Sequence, residues 1–249
     1  MKTTSTMKSA ALWAGLLALA LLQGCATGPN PRDPFEPFNR GVTRFNDGLD
    51  AAVLKPVAEV YQAALPSPVR TGVSNFFGNL SDVWSFVNNL LQAKPQAAGD
   101  SLMRVSVNTV FGLGGVLDWA TEMGIERHRE DFGKTLGHWG MGTGPYLVLP
   151  VLGPSSVRDA SGLVVDIYGE PVYRSVDSVA TRNSLYVLRV VDLRASLLRA
   201  GEVLDQAALD KYSFTRDAYL QRRGADLGTS GAPEERFDLP EATPPAPAK

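Results

Sequence analysis

The 249-residue chain holds a single cysteine, Cys25, and places it directly behind an uncharged run of small or apolar residues, Ala10 to Leu22. With no second cysteine there is no internal disulfide, so the fold rests on packing alone. The run is too short to be a membrane span, because crossing ~30 Å of hydrocarbon takes ~20 apolar residues. Lys2 and Lys8 precede it, and Gly24 supplies a small residue just before the cysteine. A charged start, a short apolar core and a small residue at the cut make up a secretory signal.

The stretch Leu22-Gln23-Gly24-Cys25 resembles the lipobox of bacterial lipoproteins. That resemblance implies that Cys25 becomes the acylated first residue of the mature protein. Ala26 follows, where an aspartate would imply retention at the inner membrane, so the implied destination is the outer membrane. Each buried CH₂ contributes about 0.8 kcal/mol, and two or more chains hold a protein stably. The plainer alternative is a secreted protein with a free thiol, which is a reactive liability in an oxidising compartment.

Without residues 1–24, and so without Lys2 and Lys8, 22 Lys and Arg stand against 26 Asp and Glu, a net charge of −4. No basic tract remains, which argues against nucleic acid as a partner. Residues 25–34 are polar and proline-rich and read as a tether. Residues 227–249 contain five prolines and few large apolar groups, and they read as a disordered tail. The ordered body expected from this pattern is a single domain over 35–226.

Its dominant period is helical. Phe38, Val42, Phe45, Leu49 and Val53 share one face of a helix that Pro56 should end or bend. Ser67-Pro68 reads as a cap and first turn, opening a stripe from Val69 to Leu91 that Gly78-Asn79 could break. Lys94-Pro95 opens another helix, reaching toward Gly112. A glycine-rich centre follows, with Tyr146–Leu149 as a short strand in a loop or hairpin. Helices then resume over 156–168, 172–181, 183–198, 203–209 and 210–223. The expectation is an all-α fold of short amphipathic helices. Several of them are apolar on more than one side, which suits burial in a core or in lipid. Sequence pattern alone favours a compact soluble bundle, and the anchor narrows that preference.

Catalytic constellations are missing. The two histidines, His128 and His138, form no H-E-x-x-H motif, and acylation of Cys25 leaves no thiolate for zinc. Gly133-Lys134-Thr135 imitates the end of a Walker A loop, but His128 stands where its first glycine belongs. No G-x-S-x-G elbow is present. These absences predict a protein that is not an enzyme and takes no cofactor or metal. Trp84, Trp119, Trp139 and Tyr146 are candidates for an aromatic belt at a membrane interface, or for ordinary core residues. The run 126–132 (ERHREDF) is a solvated loop or helix end, an acid–base set, or a head-group contact.

Long blocks carry a family resemblance: DPFEPFNRGVTRFNDGLDAAVLKPVAEVY (33–61), VRTGVSNFFGNLSDVWSFVNNLLQAK (69–94), RVSVNTVFGLGGVLDWATEMG (104–124) and EDFGKTLGHWGMGTGPYLVLPVLGPSSVRD (130–159). With RDAYLQRR (216–223), they resemble the VacJ/MlaA family of outer-membrane lipoproteins, part of a system that maintains lipid asymmetry. The resemblance implies a ring-like helical domain lying in the outer membrane without spanning helices, beside a trimeric porin. A polar-lined channel would take misplaced phospholipids from the outer leaflet and pass them to a soluble periplasmic carrier. On that basis Arg40, Arg44, Asp47 and Asp50 are candidates to line the lipid path, and Gly140, Gly142 and Gly144 to form a gate. A scaffold that docks other envelope proteins without moving lipid is the competing reading.

Overall fold

The computed structural model describes residue 30 and residues 32–226. The signal segment, Cys25, most of the tether and the proline-rich tail lie outside the described residues. The chain runs through α1 (Glu36–Leu49), a π-helical segment (Asp50–Leu54), α2 (Lys55–Ala64), α3 (Ser67–Leu91) and α4 (Pro95–Val110). Next come α5 (Trp119–Glu122), α6 (Phe132–His138), β1 (Tyr146–Leu149) and β2 (Gly153–Ser156). It closes with α7 (Val157–Gly169), α8 (Pro171–Ser175), α9 (Val179–Ser196), α10 (Leu198–Ala207) and α11 (Lys211–Asp226). The fold is helical with one small hairpin, as the periodicity predicts. Among the described residues no helix is long and apolar enough to cross a membrane.

Local chemistry accounts for most boundaries and for the departures from expectation. The interruption at Pro56 takes the form of the π-helical segment. Lys55 N–H reaches back five residues to Asp50 O, one position before a residue with no N–H to give. Gly78 and Asn79 do not break α3. A Cβ at Gly78 would lie 3.1 Å from the Arg127 guanidinium, so the glycine admits that side chain rather than bending the helix. Ser67 opens α3 without a side-chain cap bond. The helix expected over 172–181 is two helices, because Ser178 accepts Thr181 N–H and starts α9 afresh. Two short helices in the glycine-rich centre start the same way, with Asp118 accepting from Thr121 N–H and Asp131 from Lys134 N–H.

Small apolar clusters around Tyr146 and around Ala58 and Ala195 sit inside, but elsewhere the interior is more polar and the exterior more apolar than in a water-soluble bundle. On α3 and α4 the side chains that face each other are polar. Asn79 donates to Thr109, Asn89 donates to Ser101, and Arg104 lies between Asp82 and Asp118. Arg104 is only 1% exposed, and Asn88, Asn89 and Asn108 are as deeply buried. Meanwhile Val110 and Phe111 are 71% and 69% exposed, and Phe38, Phe45, Val53, Leu102 and Met103 also point outward. The stripe on α1 that reads as a core face is therefore largely an outside face, with Phe38, Phe45 and Val53 exposed, and the buried residue is Asn39, on the flank where Val42 packs against the Tyr146 cluster. Arg, Asp and Asn are rarely buried without partners, and here they partner one another. Scattered surface apolar residues are normal, but contiguous faces of them mark an interaction surface or a membrane.

The hairpin shows how this arrangement handles backbone polarity. β1 and β2 pair antiparallel, Tyr146 opposite Ser156 and Leu149 opposite Gly153. The free edge of β1 is covered by two asparagines seven residues apart on α1. Asn39 donates to Tyr146 O and accepts from Val148 N–H, while Asn46 donates to Leu149 O and accepts from Val151 N–H. An open strand edge is a liability anywhere and untenable in hydrocarbon. Val151 sits at φ +67°, a conformation that is costly for a β-branched residue and is held by its bond to Asn46. Asn39→Ala is expected to leave buried backbone groups unsatisfied, costing about 1–3 kcal/mol. Amide hydrogen exchange at Val148 should accelerate accordingly, and unchanged protection there would refute this account of the edge.

Candidate functional site

The polar interior opens into a cavity of about 890 Å³. α3 supplies one wall through Ser74, Phe77, Gly78, Ser81, Trp84 and Ser85, a stripe at helical spacing made mainly of small or hydroxylated side chains. α9 supplies the facing wall with Tyr186, Arg189, Asp192 and Ser196. The loop Arg129–Asp131, the hairpin residues Leu149, Leu152 and Pro154, α7 through Asp159 and Asp166, and α11 through Tyr219 and Arg223 complete the enclosure.

Nearly every charged group in these walls has a partner. Arg189 pairs with Glu170 and donates to Ser81. Asp192 accepts from Tyr61 and Ser74, at 2.9 and 2.7 Å. Arg223 joins Asp131 and Asp159, tying α11 to the far side of the cavity. Asp166 takes the Trp84 indole N–H and the Phe132 backbone N–H, and burial pushes its pKa up. Glu130 meets Lys94 and Gln92. Among the described residues, Arg129 makes no side-chain hydrogen bond or ion pair.

Beside the cavity, Arg104 anchors a second charged network. It bonds Asp82, both carboxylate oxygens of Asp118, Thr121 and the Ile125 carbonyl, and Arg127 bridges the same two aspartates. Burial alone would raise the Asp118 pKa. Bonds from Thr121 and Asn108, with the charge of Arg104, hold it at about 2. The run 126–132 is a loop leading into α6, with Glu126 and Arg129 exposed and the residues between and after them turned inward. Its Arg127, Glu130 and Asp131 are structural members of the interior.

The residues singled out from sequence are dispersed. Arg40 bridges Glu36 on its own helix and Asp210 at the start of α11, and Asp50 pairs with Arg194 of α9. Asp47 meets Lys211 at 3.5 Å, and Arg44 is exposed. None of these four is among the residues lining the cavity, and three of them pin α1 to later helices. Trp119 and Trp139 are exposed, Trp139 donating its indole N–H to Leu91 O. Trp84 and Tyr146 do not face outward. Trp84 lies against Gly169, where a Cβ would overlap its ring, and Tyr146, 1% exposed, packs between Tyr212 and Tyr219. Gly140, Gly142 and Gly144 form an exposed connection between α6 and β1, with Gly140 and Gly144 at positive φ. Thr143 fastens that connection by accepting Arg158 N–H. Of the wall residues, sequence reading singles out Trp84 and the run that holds Arg129, Glu130 and Asp131, and it misses those of α9 and the serines of α3. The serines of α3 at steps of seven and four are the available signal. Among the described residues no cluster of His, Cys, Asp or Glu is arranged to hold a metal.

Comparison with known proteins gives a consistent result. A sequence profile of the MlaA lipoprotein family matches residues 31–226. The intermembrane phospholipid transport system lipoprotein MlaA of Haemophilus influenzae is 34% identical over 246 residues, covering 94% of this chain and 97% of the relative. The Escherichia coli protein of the same name is 36% identical, covering 83% of this chain and 84% of its own length. A solved structure described as "Structural basis for maintenance of bacterial outer membrane lipid asymmetry" superposes with a TM-score of 0.68 at 35% identity, covering 78% of this chain and 98% of that one. A helical body folded around buried polar groups, a full-length sequence match and a shared three-dimensional arrangement agree: the chain belongs to the MlaA lipoprotein family.

Proposed function

We propose that this protein moves phospholipids out of the outer leaflet of the outer membrane, where acyl chains on Cys25 hold it. The lipid enters the cavity between α3 and α9, whose walls combine polar and apolar side chains, and leaves to a soluble periplasmic carrier, with a trimeric porin as the neighbour in the bilayer. The observation that carries this reading is an interior rich in buried polar side chains beneath exposed apolar faces. Apolar faces on the exterior suit surrounding lipid tails, and the 890 Å³ interior gives a head group a wet path. A scaffold without transport would have no use for such a path.

The physics favours this kind of device. A diacyl phospholipid has about 30 CH₂ groups, and at about 0.8 kcal/mol each full exposure to water costs roughly 24 kcal/mol. Barrier arithmetic turns that into about 10⁻⁵ events per second. Shielding the tails while solvating the head lowers the barrier with no covalent step. In the test, vesicles carrying the full chain are mixed with labelled phospholipid and a purified acceptor. Transfer should exceed that of protein-free vesicles, and Ser196→Trp, which places an indole in the cavity, should reduce it several-fold. Transfer no faster than in protein-free vesicles would refute the reading.

A further inference from the structure

We propose that Arg129, Arg189 and the Tyr186 hydroxyl form a binding site for the phosphodiester of a phospholipid head group inside the cavity. This deepens the transport reading above and rests on it. Three observations point there. Arg129 lines the cavity at an exposed position and has no side-chain partner among the described residues, unlike the other two arginines in its walls. The Tyr186 hydroxyl is shielded from solvent and also lacks a partner, although its residue lines the same cavity. Tyr186 and Arg189 are three residues apart on α9, so they project from one face of that helix.

The lining holds three arginines against six acids, but at this point of the wall Glu170 neutralises Arg189 and Arg129 is the cation with no ion-pair partner among the described residues, and a phosphodiester carries one negative charge. Burial, and after it the like charge of Arg129, lower the Arg189 pKa, so the two guanidiniums feel each other across the cavity. An anion between them relieves that repulsion. Burial raises the Tyr186 pKa, which keeps its O–H as a donor to a phosphate oxygen. The acids elsewhere in the walls have partners of their own: Asp131 and Asp159 meet Arg223, Glu130 meets Lys94, and Asp166 and Asp192 accept neutral donors. Guanidinium groups suit phosphate because their planar donors can bond it in pairs.

The full lipidated chain, purified in detergent, is loaded with dioleoylphosphatidylglycerol, with dioleoylglycerol, which lacks the phosphate, or with inorganic phosphate. Arg129→Gln removes a side chain without partners, so the fold is not at stake, and helicity verifies this. The variant should retain about tenfold less phosphatidylglycerol, about 1.4 kcal/mol, and unchanged dioleoylglycerol. Arg129→Gln with Tyr186→Phe should lose more. Equal retention of phosphatidylglycerol by wild type and the double variant would overturn the site. So would loss of inorganic phosphate binding alone, which would make it a free-phosphate site. Vesicle transfer separates the two levels. If wild type transfers lipid and the double variant matches it in retention and rate, only the phosphate site fails. If wild type neither retains nor transfers lipid, the transport reading fails with it.

Discussion

Replacing Arg104 with methionine is expected to destabilise the protein by about 3–5 kcal/mol, because it breaks a buried ion network and leaves its carboxylates uncompensated. The guanidinium contacts Asp82, both oxygens of Asp118, Thr121 and Ile125 O, so one change strips five bonds from the corner where α3, α4 and α5 meet. Arg127 would remain beside Asp82 and Asp118, but it is more exposed and cannot supply the donors lost to Thr121 and Ile125. Domains are stable by only about 5–15 kcal/mol, so the loss consumes a large share. Arg104→Lys should fall in between, since an ammonium keeps the charge but cannot hold Asp118 through two oxygens. Thermal or denaturant midpoints in detergent measure this. An unchanged midpoint for the methionine variant would show that the network contributes little.

The second large effect concerns the exterior. Placing lysine at both Val110 and Phe111 should weaken membrane association sharply. Each charge costs about 2.5–3.5 kcal/mol at the centre of a membrane helix, equivalent to about a hundredfold in partitioning for even one fully embedded site. Both positions are well exposed and no buried contact depends on them, so folding itself should survive. The measurement is vesicle flotation of Cys25→Ser protein, which cannot carry an acyl chain at that position, so that the body's own affinity is read. If the double lysine variant floats as well as its parent, the apolar faces do not meet lipid. In a water-soluble bundle the same substitutions would instead raise solubility and change little else.

Much of the molecule is legible in short stretches of its sequence. The helical period, the Lys94-Pro95 start of α4, the Tyr146–Leu149 strand and the family blocks are all set by local spacing and capping chemistry. The capped starts at Asp118, Asp131 and Ser178 follow the same rules and are readable in principle. Which side of a helix faces inward is not readable. Hydrophobic periodicity locates an apolar face but does not say whether that face meets a core or a bilayer, and the Phe38–Val53 stripe satisfies either. The candidate lipid-path residues on α1 stand out in sequence because they are charged and lie off that stripe. In the fold, Arg40, Asp47 and Asp50 form ion pairs with α11 or α9 outside the cavity lining.

The sequence by itself determined the helical class and the family, and it set the expectation of a signal ahead of its lone cysteine, because these depend on neighbours a few residues apart. Only the tertiary structure decided that polar side chains fill the interior and that Ser81, Arg129, Tyr186 and Arg189, from three separate stretches of chain, line one cavity. Such a site depends on distance in space between residues remote in sequence, and burial is a property of the assembled fold rather than of any one segment.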